Sequence, residues 1–463
     1  MDGQKENTLT QAKPVDPIDI PGTLREPADL EKYRGDWSGL KGGLPAVVYR
    51  PASTAEVAAI VRSCRAQGAR ITVQGGLTGL AGGAAPDAGD VVISLERLNQ
   101  VEDFDDIGGT ITVQAGVPLA KLAEIVEARD WYFPLDIGAR GSCQIGGNVS
   151  TNAGGNRVLR YGPMRDLVLG MEVVLADGTV MPMLNRVVKN NTGPDLKHLF
   201  IGTEGTFGIV TRVVLRLFPR PAVRRSALCA LASFAQVAQL LKQARGRLPG
   251  LSSFEVMWQE YLVAAARALG RAVPLGGGHP IYVLVEAEGS TAPQMQEIFE
   301  GFLGEMLEEG VAADVIVAQT QEQAQSLWDF RDAIGELLKQ LSPFVSFDVG
   351  IPLRVTADYV ETARARLQAA FPQASHLFFG HLGDGNLHIV SGPHASEADQ
   401  LAVDEIVYGL VAEVGGSISA EHGIGRIKKP FLHLSRSETE LEVMRALKRT
   451  LDAGDALNAG RIL

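Results

Sequence analysis

This chain of 463 residues is poor in cysteine, has no excess of basic charge and contains no long apolar run. Its three cysteines, Cys64, Cys143 and Cys229, form no C-x-x-C pair and no even framework. That argues against a disulfide scaffold and for a reducing compartment. Acidic residues outnumber basic ones by 54 to 43, and the resulting net charge of −11 argues against nucleic acid or an anionic membrane as main partner. No apolar stretch approaches the length of a membrane-spanning helix. The leader MDGQKENTLTQAKPV has neither the apolar core of a signal peptide nor the Arg-rich amphipathic pattern of a transit peptide, so a cytoplasmic location is expected. What is present is ordinary globular usage, 46% apolar and 21% charged. The length allows about two or three domains, each with its own core.

Local signals divide the chain. Ser53 followed by Glu56 predicts a capping box, and the helix after it should end at Gly68. RITVQ, DVVISL and TITVQAG read as strands, and PLAKLAEIVEARD as a helix with Pro118 in its first turn. EVVLADGTV predicts a hairpin turning at Asp177-Gly178, and TFGIVTRVVLRLF a buried strand. Pro219 and Pro221 mark the expected boundary between an N-terminal domain (1–221) and a cap (222–420), with 421–463 as a returning C-terminal segment. Beyond the boundary, SFAQVAQLLKQARG, IYVLVEAEG, APQMQEIFEGFLGEMLEEG and SLWDFRDAIGELLKQ mix helical and strand patterns, which predicts an α+β fold.

Two C-terminal stretches carry chemistry. FFGHLGDGNLHIV holds His381 and His388 around an Asp384-Gly385 turn signal, and SISAEHGIG holds Glu421 and His422. A hairpin there would bring both imidazoles to one end of a sheet, where Glu421 could complete a His/His/carboxylate metal set with open positions. Two glycine-rich loops precede them. GGLTGLAGG (75–83) follows a strand but runs on to another strand rather than opening a helix, which excludes a Rossmann loop. Its backbone N–H groups can still cradle a diphosphate. The second loop, FPLDIGARGSCQIGGNVSTNAGGNRVLRYG, is far longer than an ordinary connection, which marks a functional segment. Its small residues would let backbone approach a flat aromatic cofactor.

With TEGTFGIVT, these motifs resemble the FAD-dependent D-2-hydroxyacid dehydrogenases among the vanillyl-alcohol-oxidase-type flavoproteins. PLDIGARGSCQIGGN with TNAGG is most similar to the D-2-hydroxyglutarate dehydrogenase branch. The resemblance runs from about Tyr33 to the C-terminus. It implies a vanillyl-alcohol-oxidase-type FAD domain, an α+β cap over the flavin and a C-terminal segment returning to the cofactor. It further implies that Gly75, Gly76, Leu77, Thr78, Gly79 and Gly82 hold the pyrophosphate. Pro134, Gly138, Ser142, Gly146, Gly147, Asn148, Asn152, Gly154, Ile209 and Asn458 are implied along the adenine-to-flavin path. LNAGRIL departs from the family's LNPGK phrase at Ala459. No histidine lies in 74–83 to tether flavin, and the spacing around Cys143 differs from cysteine-tethered relatives, so FAD is expected to be non-covalent.

The same resemblance implies His381, His388 and Glu421 as ligands of a divalent metal, with Zn²⁺ suited and Mn²⁺ or Fe²⁺ open, and His422 as base. Arg331 falls at the position of the substrate-carboxylate arginine; the plainer alternative is a surface helix residue paired with Asp332 or Glu336. Gly335, Ser346 and Val390 stand where the hydroxyglutarate enzymes carry threonine, lysine and asparagine. The expected activity is oxidation of a small D-2-hydroxy acid, with a D-lactate or glycolate dehydrogenase or oxidase subunit and a non-catalytic electron-transfer subunit as alternatives. With no nicotinamide site, electrons are expected to pass to an electron-transfer flavoprotein, a quinone or a cytochrome; a homodimer is left open.

Overall fold

The computed structural model describes residue 16 and residues 18–463; the leader of residues 1–15 lies outside the described residues. In the N-terminal part a three-stranded parallel sheet runs Val47–Tyr49, Val91–Ser94, Ile71–Gln74. Helix Thr54–Gln67 packs Val57, Ile60 and Val61 into the core beneath it. Ser53 caps that helix by accepting the Glu56 N–H at 3.2 Å, and Gly68 ends it at φ +66°. Only half of the expected capping box forms, because the Glu56 carboxylate takes the N–H of Ala52 at 2.7 Å. Pro118 is the N-cap of helix Leu119–Glu127 rather than a first-turn residue. A five-stranded antiparallel sheet follows, ordered Val101–Asp105, Thr110–Gln114, Ile209–Arg216, Val168–Val174, Val180–Met183.

Past Pro221 the chain enters a seven-stranded antiparallel sheet. Its order is Asp314–Val317, Val223–Leu231, Ile281–Gly289, Leu251–Trp258, Ser375–Gly380, Asn386–Gly392, Val345–Gly350. Both faces are covered, so alternate residues enter different cores. Ala227, Cys229 and Leu231 pack with Val237, Phe299, Tyr359 and Val407, while Leu228 and Ala230 pack with Tyr261, Leu262 and Trp328. SLWDFRDAIGELLKQ is two helices, Gln321–Arg331 and Ile334–Leu341, broken at Asp332 (φ −92°, ψ 3°). The break leaves Arg331 as the last residue of its helix.

The chain then returns to the first part. Leu457 forms a parallel bridge with Ile71, and the Ile71 N–H donates to the Ala456 carbonyl at 2.7 Å. Arg461, 2% exposed, donates to the carbonyls of Gly83 (3.3 Å) and Ala85 (2.5 Å) and to Thr72 Oγ1 (2.8 Å). The tail is thus fastened beneath the first glycine loop.

Candidate active site

The histidine pair sits on adjacent strands of the seven-stranded sheet. Phe379 pairs with His388, and His381 leaves the strand end two residues later. The connection is a 3-10 turn, Leu382–Asp384, closed by Gly385 at φ +84°, rather than a two-residue hairpin. Glu421 and His422 arrive on an irregular loop. Ligand atoms of His381, His388 and Glu421 all lie within 4.8 Å of one another, with His381 Nε2 3.8 Å from a Glu421 oxygen. The His422 ring stacks at 6.2 Å on that of His388.

Asp348 organises this loop. It is fully buried, cross-strand from His388, and one of its oxygens accepts the N–H groups of both Glu421 and His422 at 2.8 Å. Burial opposes its charge, yet His422, Lys428 and His388 hold its carboxyl well below the usual range. Burial lowers the pKa of His422 and His388, which keeps both imidazoles neutral and able to use a lone pair. Burial also disfavours charge on His381, but the Glu255 carboxylate outweighs it and holds His381 up at about 9. Burial raises Glu421 to about 7. Two imidazoles and a carboxylate, converging with carboxylate charge in excess around His381, fit a divalent cation of the zinc type.

Arg331 is not the surface residue that its helical setting allowed. It is 5% exposed and pairs with neither Asp332 nor Glu336. Its Nε donates to Glu255 at 2.7 Å, its Nη2 lies 3.1 Å from His381 Nε2, and its guanidinium stacks on Phe379 at 5.0 Å. Glu255 and Asp348 were not legible as site residues. Each is a lone acid in an apolar strand, SFEVMW or VSFDVG, whose partners come from distant segments.

A cleft of ≈ 1820 Å³ joins these groups to both glycine loops. That exceeds the usual range of about 300–1,000 Å³ for a small-ligand pocket and suits a dinucleotide with a substrate beside it. Gly75, Gly76, Leu77, Thr78, Gly79, Gly138, Gly146, Gly147, Asn148, Gly154, Ile209 and Asn458 line it, as do Arg331, His381, His388, Glu421 and His422. Gly82, Pro134, Ser142 and Asn152 do not. Gly82 packs against Leu40 and Ile427, and Ser142 presents its carbonyl to Gly76, where a Cβ would come within 2.0 Å. Asn152 takes φ +52° to end helix Ile145–Thr151 and accepts the Arg165 N–H at 2.9 Å. The Gln144 Oε1 atom is buried without a partner at the cleft wall, and the Cα atoms of Gly138 and Gly147 open onto free space. These features fit a bound flavin nucleotide. Asn458, despite the Ala459 departure, is held at φ +46°; it accepts the Val73 N–H at 2.8 Å and donates to the Glu204 carbonyl at 2.5 Å. Cys143 is 2% exposed and does not line the cleft.

Comparison with known proteins places this architecture. Residues 45–183 match an FAD binding domain family and residues 220–462 match the FAD linked oxidases, C-terminal domain. A mitochondrial D-2-hydroxyglutarate dehydrogenase of Bos taurus is 41% identical over 96% of this chain and 82% of its own. A D-2-hydroxyglutarate dehydrogenase of Xanthomonas citri pv. viticola is 40% identical over 94% and 93%. The crystal structure of p-cresol methylhydroxylase superposes with a TM-score of 0.75 over 95% of this chain and 93% of that one, at 16% identity, which shows the shared vanillyl-alcohol-oxidase-type fold. Among the described residues no helix is long and apolar enough to cross a membrane. The chain belongs to the FAD-dependent D-2-hydroxyacid dehydrogenases.

Proposed function

We propose that this enzyme oxidises a D-2-hydroxy acid with a neutral or apolar tail to the 2-oxo acid, using a divalent metal held by His381, His388 and Glu421 and His422 as base. The observation that carries this reading is the convergence of Arg331, the three donors and His422 on the cleft that the glycine loops line. When bound, FAD supplies the acceptor for the Cα hydride and the metal, best matched by Zn²⁺, the Lewis acidity that makes the hydroxyl proton removable near neutral pH. The chain's own side chains do the rest. Arg331 offers a planar guanidinium to the substrate carboxylate and so fixes which face of Cα is presented. His422, kept neutral by burial, accepts the hydroxyl proton; stacking on His388 orients its ring, and Asp348, accepting its backbone N–H, holds its loop in place.

The tail assignment comes from the sheet. Val390 lies two residues beyond His388 on one strand, hence on the same face, and its cross-strand partner is Ser346. Gly335, Leu338 and Phe344 line the cleft with them, and among the described residues no lysine does. A second carboxylate beside Ser346 and Val390 would find no lysine, and the cleft's other arginines, Arg140, Arg157, Arg220, Arg224 and Arg225, lie on other segments than this strand pair. We place the electron acceptor outside the chain, as an electron-transfer flavoprotein, quinone or cytochrome. The test is anaerobic mixing with a panel of D- and L-2-hydroxy acids. Bleaching of the flavin by D-acids, and by none of the L-acids, is expected; a flavin left oxidised by the whole panel sinks the proposal.

A further inference from the structure

We infer that Glu255 is a positioning residue shared by the two halves of the catalytic site: one carboxylate sets both the metal-ligand histidine His381 and the carboxylate anchor Arg331. The inference rests on the proposed function and deepens it. Glu255 is 1% exposed, in the strand Leu251–Trp258, every residue of which is buried. An unpaired charge in such a strand would be costly, so its two partners are obligatory. One is the Nε of Arg331, donating at 2.7 Å. The other is the Nδ1 of His381, 2.9 Å from Oε1 and 2.8 Å from Oε2. These partners come from a helix end and a strand end, 76 and 126 residues further along the chain.

Each contact has a chemical consequence. A carboxylate at Nδ1 keeps a proton on that nitrogen, so Nε2, the atom that faces Glu421 and the Arg331 Nη2, is the nitrogen whose proton a bound metal would displace. The bond at Arg331 Nε occupies the inner edge of the guanidinium. Among the described residues Nη1 makes no hydrogen bond, so the outer edge remains for a ligand in the cleft. Stacking on Phe379 at 5.0 Å and the Tyr261 hydroxyl, which donates to the Arg331 carbonyl at 2.7 Å, fix the plane and the backbone. Metal affinity and substrate affinity therefore share a single support. A glutamine at this position keeps the volume but presents one oxygen and one NH₂ to two N–H donors, so one of the two contacts must fail and the other loses its charge.

The experiment uses flavin-loaded protein and two binding readouts besides turnover. Zinc affinity is measured by competition with a chelating indicator dye, and KM and kcat are measured with D-lactate. In Glu255→Gln we expect the zinc Kd to rise by about 10–100-fold. KM for D-lactate should rise about tenfold or more in the same variant, because a misplaced anchor loses orientation. Flavin content and Tm serve as folding controls. Glu255→Asp, which keeps the charge but is one methylene short, is the second variant should the glutamine form fail to fold; it should show the same paired loss at smaller size. Unchanged zinc Kd and KM, or a change in only one of them, overturns the shared role. A wild type that takes up no zinc overturns the proposed function instead, so the two failures are distinguishable.

Discussion

The preference for an uncharged substrate tail can be worked through from Ser346 and Val390. D-2-Hydroxyglutarate would bring two carboxylates into the site. Arg331, buried against Glu255 and Phe379, can hold the one next to the hydroxyl. The distal one would have to lie along the wall formed by Val390, 2% exposed, and its cross-strand partner Ser346, with Leu338 and Phe344 beside them. Ser346 is exposed, so the cost lies in lost partners: a carboxylate with no cation and a single hydroxyl donor should lose about 2–4 kcal/mol relative to a site with a lysine and an amide, roughly 30- to 1000-fold in kcat/KM. The assay is kcat/KM for D-lactate, D-2-hydroxybutyrate and longer apolar homologues against D-2-hydroxyglutarate, with an artificial electron acceptor. The converse perturbation, Ser346→Lys with Val390→Asn, should raise kcat/KM for hydroxyglutarate at least about tenfold, the size of one charge-assisted contact. Wild-type protein that prefers hydroxyglutarate by about tenfold or more would refute the reasoning and show that another arginine of the cleft reaches the distal carboxylate.

Other outcomes follow from the same geometry. Acid or heat should release the flavin into the supernatant as FAD, since Cys143 is buried away from the cleft and residues 74–83 hold no histidine; flavin staying with the precipitate would show a covalent bond. Exhaustive chelation should abolish turnover yet leave the flavin spectrum nearly unchanged, because the donor set and the glycine loops are different residues; full activity in metal-free protein would sink the mechanism. His422→Ala should keep metal and flavin and slow flavin reduction by about 10²–10⁴-fold, the usual contribution of a positioned base, read by stopped flow. Arg461→Ala should cost about 2–4 kcal/mol, because it strips donors from the buried Thr72 and Ala85 and from the part-buried Gly83 carbonyl. It should also weaken FAD retention, and an unchanged Tm would show that the tail does not support the loop.

The parts of this molecule that could be read in advance were those encoded by neighbours in sequence. Ser53, Gly68 and the Asp177-Gly178 turn act on their own helix or hairpin, and each appears where the local rule puts it. The glycine loops were legible because close backbone packing leaves a compositional trace, as at Gly76, where a Cβ would strike the Ser142 carbonyl, while Gly138 and Gly147 open onto the cleft. The His381/His388 pair was legible because a turn separates the two by a spacing that returns them to one sheet edge, although the turn proved longer than two residues. Where local signals were read one residue too literally, packing decided otherwise. Pro118 caps its helix from outside, Glu56 turns to Ala52, and SLWDFRDAIGELLKQ breaks at Asp332 so that Arg331 can face inward.

The residues that sequence could not reveal share a cause. Glu255 is a single acid in a strand buried throughout, and Asp348 a single acid between the buried Phe347 and Val349; a pattern of burial alone marks such positions as errors or edges. Their meaning lies in partners 76 to 126 residues away for Glu255, and 73 to 74 for Asp348. A charge buried this deeply is tolerable only if its hydrogen-bond partners arrive from elsewhere in the fold. Its presence is therefore a statement about tertiary structure written in one letter of primary structure. The same logic extends to Arg157, 7% exposed, whose Nη1 sits 2.6 Å from Glu286 of the seven-stranded sheet while its backbone belongs to the second glycine loop. Glu286 also accepts the indole N–H of Trp328 at 2.9 Å, on the helix that ends in Arg331. Two buried arginine–glutamate pairs on adjacent strands thus tie the flavin loop and the substrate anchor to one rigid sheet. On the proposed mechanism that rigidity would hold hydride donor and acceptor at a set separation, a reason for charges that contribute little to stability to be kept in the core.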